Sequence, residues 1–332
     1  MKGRPGLVAL LVAVGAAAAV EASILTGVLN PYWQQVIALA GIMTISALGL
    51  NLIYGYTGQF SLGHAAFYGI GAYTSAFVTR TIGGGGPWLL ALGLLCGAVL
   101  AGLVALAIGL PILRLKSDYL GIATLGFGII VKVLLDNSDS VIPMLGGSRG
   151  MSGIARLTSF PWVFVLAAAA LLVMRNIVYS GIGRALVSVR EDELAAEAVG
   201  VDSTRYKTLG FVVGCVYAGV AGGLYAHLYT FLHPMNFDFL KSIDVLLIVV
   251  LGGLGSMSGT LVAAVGWTFL LEGLRFVLPS SVQDWRWVIY PLLLVVFMLV
   301  RPGGIFAGNE LPFLRNGRPG TRGRGPGAGE MR

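Results

Sequence analysis

The residues with most capacity for chemistry lie in one charged stretch, Arg184 to Lys207, RALVSVREDELAAEAVGVDSTRYK. Its nine charged side chains need water. The stretch also reads as a helix. Ser188 and Glu191 have the spacing of a capping box, and Glu191, Asp192 and Glu193 suit a helix N-terminus. Leu194 to Ala198 propagate it, Gly200 is placed to end it, and Asp202 or Ser203 can cap the next span. The short apolar face of Leu194, Ala195, Ala198 and Val199 is small and rigid. It suits a groove on another protein; the alternative is an ordinary solvated loop helix.

A second group is Asn51 to Tyr73, NLIYGYTGQFSLGHAAFYGIGAY. Glycines here allow close backbone approach or a helix break near Gly58. Asn51, Gln59, Ser61 and His64 are polar groups at membrane depth. Such groups face either other protein or a water-filled route, so they read as path lining or as an interhelical hydrogen-bond cluster. His64 has no His or Cys companions at ligand spacing, which argues against a metal. Gly210, Gly214, Ala218, Gly222 and Ala226 recur every fourth residue, the pattern of one helix packed closely on another. Gly252 to Gly259, GGLGSMSG, lacks the Gly-Lys-Ser/Thr ending of a phosphate loop and reads as a tight turn in a helical hairpin. His64, His227 and His233 are too scattered for a catalytic triad, so no enzymatic constellation emerges.

The elements that must position these residues follow from composition. The chain has 332 residues, 56% hydrophobic and 11% charged, with a mean hydropathy of +0.85. A soluble domain carries about 25% charged residues, so bilayer must cover much of this surface. The fold class is an all-α integral membrane protein, a polytopic bundle of about ten transmembrane or re-entrant helices. A membrane β-barrel would show alternating segments of about ten residues, and the apolar runs here are continuous and longer. The expected spans are Leu7–Thr26, Trp33–Tyr54, Leu62–Val78, Trp88–Leu113, Tyr119–Leu135, Phe160–Val178, Tyr206–Leu228, Ile243–Leu254, Gly259–Val277 and Trp287–Val300. The third and eighth are short or Gly-rich and suit half-spans. Cys96 and Cys215 lie in apolar runs and read as packing residues.

With the N-terminus inside and ten spans, 15 of the 22 Lys and Arg residues fall on the cytoplasmic side. This bias puts both termini and the 184–207 loop in the cytoplasm. Trp33, Trp88, Trp162, Trp285 and Trp287 sit near span ends, as an aromatic belt requires. The first segment follows Lys2 and Arg4 and has the look of a signal peptide, but the hydrophobic chain after it favours a retained helix. Two regions result: a transmembrane domain over 1–307, and a basic tail over 308–332 that is too poor in apolar residues to fold and is suited to anionic lipid. The net charge of +7 belongs to membrane edges and tail, and nucleic acid is not an expected partner.

Four segments in order now carry a family resemblance. GYTGQFSLGHAAFYGIGAY within Asn51–Tyr73 resembles the signature of branched-chain amino acid ABC permeases of the LivM type. VREDELAAEAVGVDSTRYKTLGFVVGCVYAGVAGGLYAH, Val189–His227, resembles that family's cytoplasmic loop and following helix. VLGGLGSMSGTLVAA, Val250–Ala264, and YPLLLVVFMLVRPGGIFA, Tyr290–Ala307, are similar too.

The resemblance implies the permease subunit of a heteromeric ATP-driven importer in the cytoplasmic membrane of a prokaryote, not an enzyme. It implies a second related permease, two cytoplasmic ABC ATPases that use ATP and Mg, and an extracytoplasmic substrate-binding protein; the chain itself binds no cofactor. Glu193 to Gly200 matches the family's coupling helix, so Arg190, Glu191, Glu193, Ala195, Glu197 and Gly200 are the expected ATPase-coupling residues. Glu197-Ala198-Val199-Gly200 departs from the Glu-Ala-Ala-x-x-x-Gly pattern of many ABC importers. Asn51, Gln59, Ser61, His64 and Tyr68 are the expected path residues, and Gly210, Gly214, Ala218 and Gly222 the packing residues. Branched-chain or similar small amino acids are the expected substrates; urea, short amides and aromatic acids are served by related permeases. The rival from another class is a secondary transporter or channel, whose coupling carboxylates would be Glu272 and Asp244.

Overall fold

The structure is a computed structural model. It describes residues 26–113 and 117–277, together with 15, 18–24 and scattered positions between 292 and 310. The expected first and last spans lie largely outside the described residues, as does the expected tail apart from Glu310. Within the described residues the regular elements are helices: α1 Pro31–Leu50, α2 His64–Ile82, α3 Pro87–Ile112, α4 Ser117–Asp136, α5 Phe160–Val178, α6 Gly181–Glu191, α7 Glu193–Ala198, α8 Ser203–Tyr229, α9 Phe239–Gly252 and α10 Met257–Val277. Residues 18–24 are also helical.

Six described helices are long and apolar enough to cross a membrane: α1 with the turn that extends it to Tyr56, α3, α4, α5, α8 and α10. The expected count of about ten spans is therefore not established. The other two expected segments are helical but fall short for different reasons. The 14 residues of α9 rise only about 21 Å against a hydrocarbon core of about 30 Å. The 19 residues of α2 are diluted by Gly, Ser, Thr and Tyr.

Helix α8 is the axis of the bundle, packed against α1, α2 and α3. Small residues make this possible. A side-chain carbon on Gly214 would lie 2.4 Å from Ile53 of α1's extension, and one on Gly222 would lie 1.9 Å from the Tyr68 carbonyl oxygen of α2. Ala218, between them, is fully buried. A second line on the same helix meets two others: Gly71, Gly97 and Gly219 bring the backbones of α2, α3 and α8 to one point, leaving no room for a methyl group. Without a hydrophobic force between helices in lipid, such close approach is what holds them. Helix α1 is the most enclosed, with 89% of its most apolar window buried, and α5 the least, with 11%. Leu95, Leu103, Ile122, Ile130, Val165 and Leu172 are exposed on α3, α4 and α5, the surface hydrocarbon would cover.

The two ends of the bundle differ. One carries α6, α7 and the Gly253–Ser256 turn. The other carries short 3-10 turns after α4, a Met151–Leu232 bridge, and an ion pair of 2.9 Å from Lys132 to Asp238. The Lys132 hydrogen bond holds the Asp238 carboxyl below its usual range, against burial that raises it.

Candidate functional site

The charged loop forms two helices where one was expected. Ser188 lies inside α6, with its hydroxyl donating to the Ala185 carbonyl, so it does not form a capping box with Glu191. Asp192 breaks the helix instead, with extended backbone (φ −156°, ψ 109°), and its side chain accepts from Ala195 N–H to cap α7. A short acceptor at the break satisfies an amide that would otherwise have none. Gly200 takes φ +87°. Gly200 N–H donates to Glu197 O and Val201 N–H to Ala196 O, a Schellman closure that needs a left-handed residue. Asp202 then caps α8 by accepting from Arg205 N–H.

These caps fix α7 with two unlike faces. On the inner face Ala196 is buried, Glu193 pairs with Lys207 at 2.5 Å, and Glu197 accepts from the Ser203 hydroxyl. Burial raises the Glu193 carboxyl, but the Lys207 hydrogen bond and charge outweigh it and hold the group below its usual range. On the outer face Leu194 and Val199 are each 79% exposed, with Ala195 and Ala198 exposed between them. Glu193 and Glu197 thus bind α7 to this chain's own α8, leaving the outward face apolar and uncovered.

Arg190 does something else. It pairs with Glu191 and reaches into the bundle, where its Nη1 donates to the Gly55 carbonyl at 2.5 Å. Gly55 belongs to a π-helical turn, Asn51–Tyr56, that ends α1. Thr57 follows, and Gly58 takes φ +73° against the Arg190 stem. A cavity of about 270 Å³ opens here, lined by Gly58, Gln59, Arg190, Asp192, Glu193 and Lys207 among others. Asn51 is fully buried. It donates to Ser256 O at 3.0 Å and Thr260 Oγ1 at 2.9 Å, and accepts from Gly255 N–H at 2.9 Å. Three stretches far apart in sequence therefore meet at one end of the bundle.

The remaining candidate path residues are all buried: Gln59, Ser61, His64 and Tyr68. His64 Nε2 donates to Ser46 O at 2.9 Å. Its Nδ1, the Gln59 amide and the Tyr68 hydroxyl have no hydrogen-bond partner. The helix break at Gly58 places Gln59 and Ser61 in a non-helical segment before α2. Three partners escaped the sequence reading. Thr124 accepts from Leu62 N–H, and Ser242 from Ala65 N–H at the start of α2. Glu310 accepts from Met257 N–H at 2.5 Å and Ser258 N–H at 3.1 Å at the start of α10. The only sequence signal was Glu310, an acid in a basic tail; nothing local distinguishes Thr124 or Ser242.

Of the carboxylates a secondary transporter would use, Glu272 accepts from the Tyr32 hydroxyl at 2.8 Å and Asp244 lies 3.9 Å from Lys241. His227 is buried between Ser75 and the Ala155 carbonyl. Among the described residues no group of three His, Cys, Asp or Glu residues lies together as a metal site requires.

The described residues form a helical bundle with six helices able to cross a membrane and a helical loop at one end. The chain belongs to the family described as branched-chain amino acid transport system / permease component, which matches residues 32–299. It is 34% identical over 302 residues to the high-affinity branched-chain amino acid transport system permease protein LivM of Salmonella typhimurium, covering 80% of this chain and 67% of the relative. It is 32% identical over 309 residues to LivM of Escherichia coli, covering 82% and 69%. The permease protein LivH of Salmonella typhimurium is 28% identical over 301 residues, covering 83% and 94%. No solved structure matches it.

Proposed function

We propose that this chain is the membrane permease subunit of an ATP-driven importer that carries branched-chain or similar small amino acids across a cytoplasmic membrane. It pairs with a second, related permease, is driven by two cytoplasmic ATPases that use ATP and Mg, and receives substrate from an extracytoplasmic binding protein. Both termini and the α6–α7 loop are cytoplasmic. The bundle has about ten transmembrane or re-entrant segments, α2 and α9 being partial spans covered by neighbouring protein.

The observation that carries the coupling role is the pair of faces on α7. Leu194, Ala195, Ala198 and Val199 are exposed and available to a partner, and Glu193 and Glu197 are committed to this chain. Gly200, Ala195, Glu191 and Arg190 complete the coupling element. When the ATPases close, α7 moves with them. Arg190 passes the motion to Gly55, beside the Gly58 break, and Asn51, Gln59, Ser61, His64 and Tyr68 are our reading of the route for substrate. Access alternates as this break rearranges.

Ala195→Arg puts an unpaired cation where a tight groove must desolvate it, at a cost of several kcal/mol. Gly200→Pro forbids the positive φ and removes the N–H of the Schellman closure. Both variants abolish uptake with the permease still in the membrane and substrate capture by the binding protein intact. Wild-type uptake with the ATPase still co-purifying would show that α7 is not the coupling element.

A further inference from the structure

At the end of the bundle opposite α6 and α7 lies a second cavity, of about 300 Å³, between residues 18–24, α1 and the start of α5. Small-ligand sites run from about 300 to 1,000 Å³, so this one suits a ligand of a few heavy atoms. Its lining is chemically divided. Half-buried Glu21 contributes a carboxylate whose Oε2 is buried and has no hydrogen-bond partner among the described residues. Arg156, exposed at the rim, lines the same cavity and pairs with no carboxylate among the described residues. The lining also includes the start of the 19-residue helix α5, whose N-cap Ser159 does not cap it with its side chain and whose first turn holds Pro161, which has no N–H. The first-turn amides that remain, on Phe160 and Trp162, favour an anion. Ile24, Leu157 and Leu228 supply apolar wall.

We infer that this cavity is an acceptance site for a zwitterionic, aliphatic α-amino acid. Glu21 holds the ammonium, while Arg156 and the α5 N-terminus hold the carboxylate. The Ile24, Leu157 and Leu228 wall takes the side chain. One Glu21 oxygen lies buried with no partner among the described residues, and a ligand ammonium gives it one. A cavity with one fixed charge of each sign favours a molecule carrying both over one carrying either. The inference rests on the amino-acid reading above and adds where the substrate first binds the permease: the face on which a binding protein would release it.

The test is photolabelling with a diazirine analogue of L-leucine in membranes carrying the complete transporter, beside L-leucine uptake. Label falls on the peptide containing Leu157 and Phe160, and excess L-leucine removes it. Leucinamide and 4-methylpentanoate, each lacking one charge, compete at least tenfold less well. Glu21→Gln and Arg156→Gln each lower labelling at least tenfold at wild-type permease abundance, and Arg156→Lys keeps more label than Arg156→Gln. Leucine uptake by the wild type with no label at this cavity, or variants that label normally, overturn the site and leave the substrate reading standing. Wild-type membranes that take up no leucine overturn that reading and the site with it.

Discussion

Asn51 is fully buried, and its carboxamide joins the end of α1 to Gly255, Ser256 and Thr260. Thr260 also donates to Ser256 O, so replacing Asn51 leaves Gly255 N–H as the group without a partner. An orphaned buried donor costs about 1–3 kcal/mol. Asn51→Leu therefore lowers the melting midpoint of the purified permease by several degrees, and Asn51→Asp lowers it too, because its carboxylate is buried facing the Ser256 carbonyl to which the amide donated. Equal midpoints for all three would show that the amide contributes nothing to stability. Glu193 acts in another way, because its ion pair depends on pH. Its carboxyl lies below the usual range, so the attachment to Lys207 is complete above the ordinary glutamate pKa and is lost as pH falls through the depressed value. Hydrogen-exchange protection at Ala196 to Val201 should persist at neutral pH and decline only in acid. In Lys207→Met the decline begins at higher pH. An unchanged profile in that variant would remove Lys207 as the cause.

Among the elements, α8 depends most on what its side chains lack. Gly214 lies against Ile53 and the Gly49 carbonyl, so the added bulk of Gly214→Leu must separate α8 from α1. The packing carries the association, and the expected result is loss of folded permease from the membrane, measured as monodisperse protein after mild detergent extraction. Gly266, where a side-chain carbon would meet nothing within 4 Å, is the comparison: Gly266→Leu should extract like wild type. Normal yield of the Gly214 variant would mean that the bundle yields at this crossing. The break between α6 and α7 is likewise an element-level device. Asp192 ends one helix and caps the next, which turns the apolar face of α7 outward while Arg190 of α6 points inward.

Across the whole molecule, the two ends carry different chemistry. One gathers the water-facing loop, the Gly58 break and the turn before α10; the other gathers the short turns after α4 and the cavity beside Glu21. If the first end is cytoplasmic, Leu194→Cys, at a position 79% exposed, reacts with an impermeant thiol reagent in inside-out vesicles stripped of the ATPases and not in intact cells. Labelling from outside would invert the topology and with it the assignment of α7 to ATPase docking.

Class and coarse layout were legible in the residues, because desolvation is a property of composition. Too few charges for a water-covered surface and long apolar runs each act without knowledge of neighbours. Local chain geometry was partly legible: Gly200 and Asp202 end and restart helices through contacts within six residues. The capping box at Ser188 misled, because Ser, Asp and Glu in succession offer several local caps, and Asp192 is the one used. The spacing of Gly210, Gly214, Ala218 and Gly222 announces a close crossing without naming its partner. Only the tertiary structure decided that Gly214 meets α1, that Arg190 reaches Gly55, that Asn51 bonds to Gly255, and that Glu21 and Arg156 share a cavity. Each joins residues dozens to hundreds apart in sequence. Helix packing brings them together by shape, and no local periodicity encodes which shapes will meet.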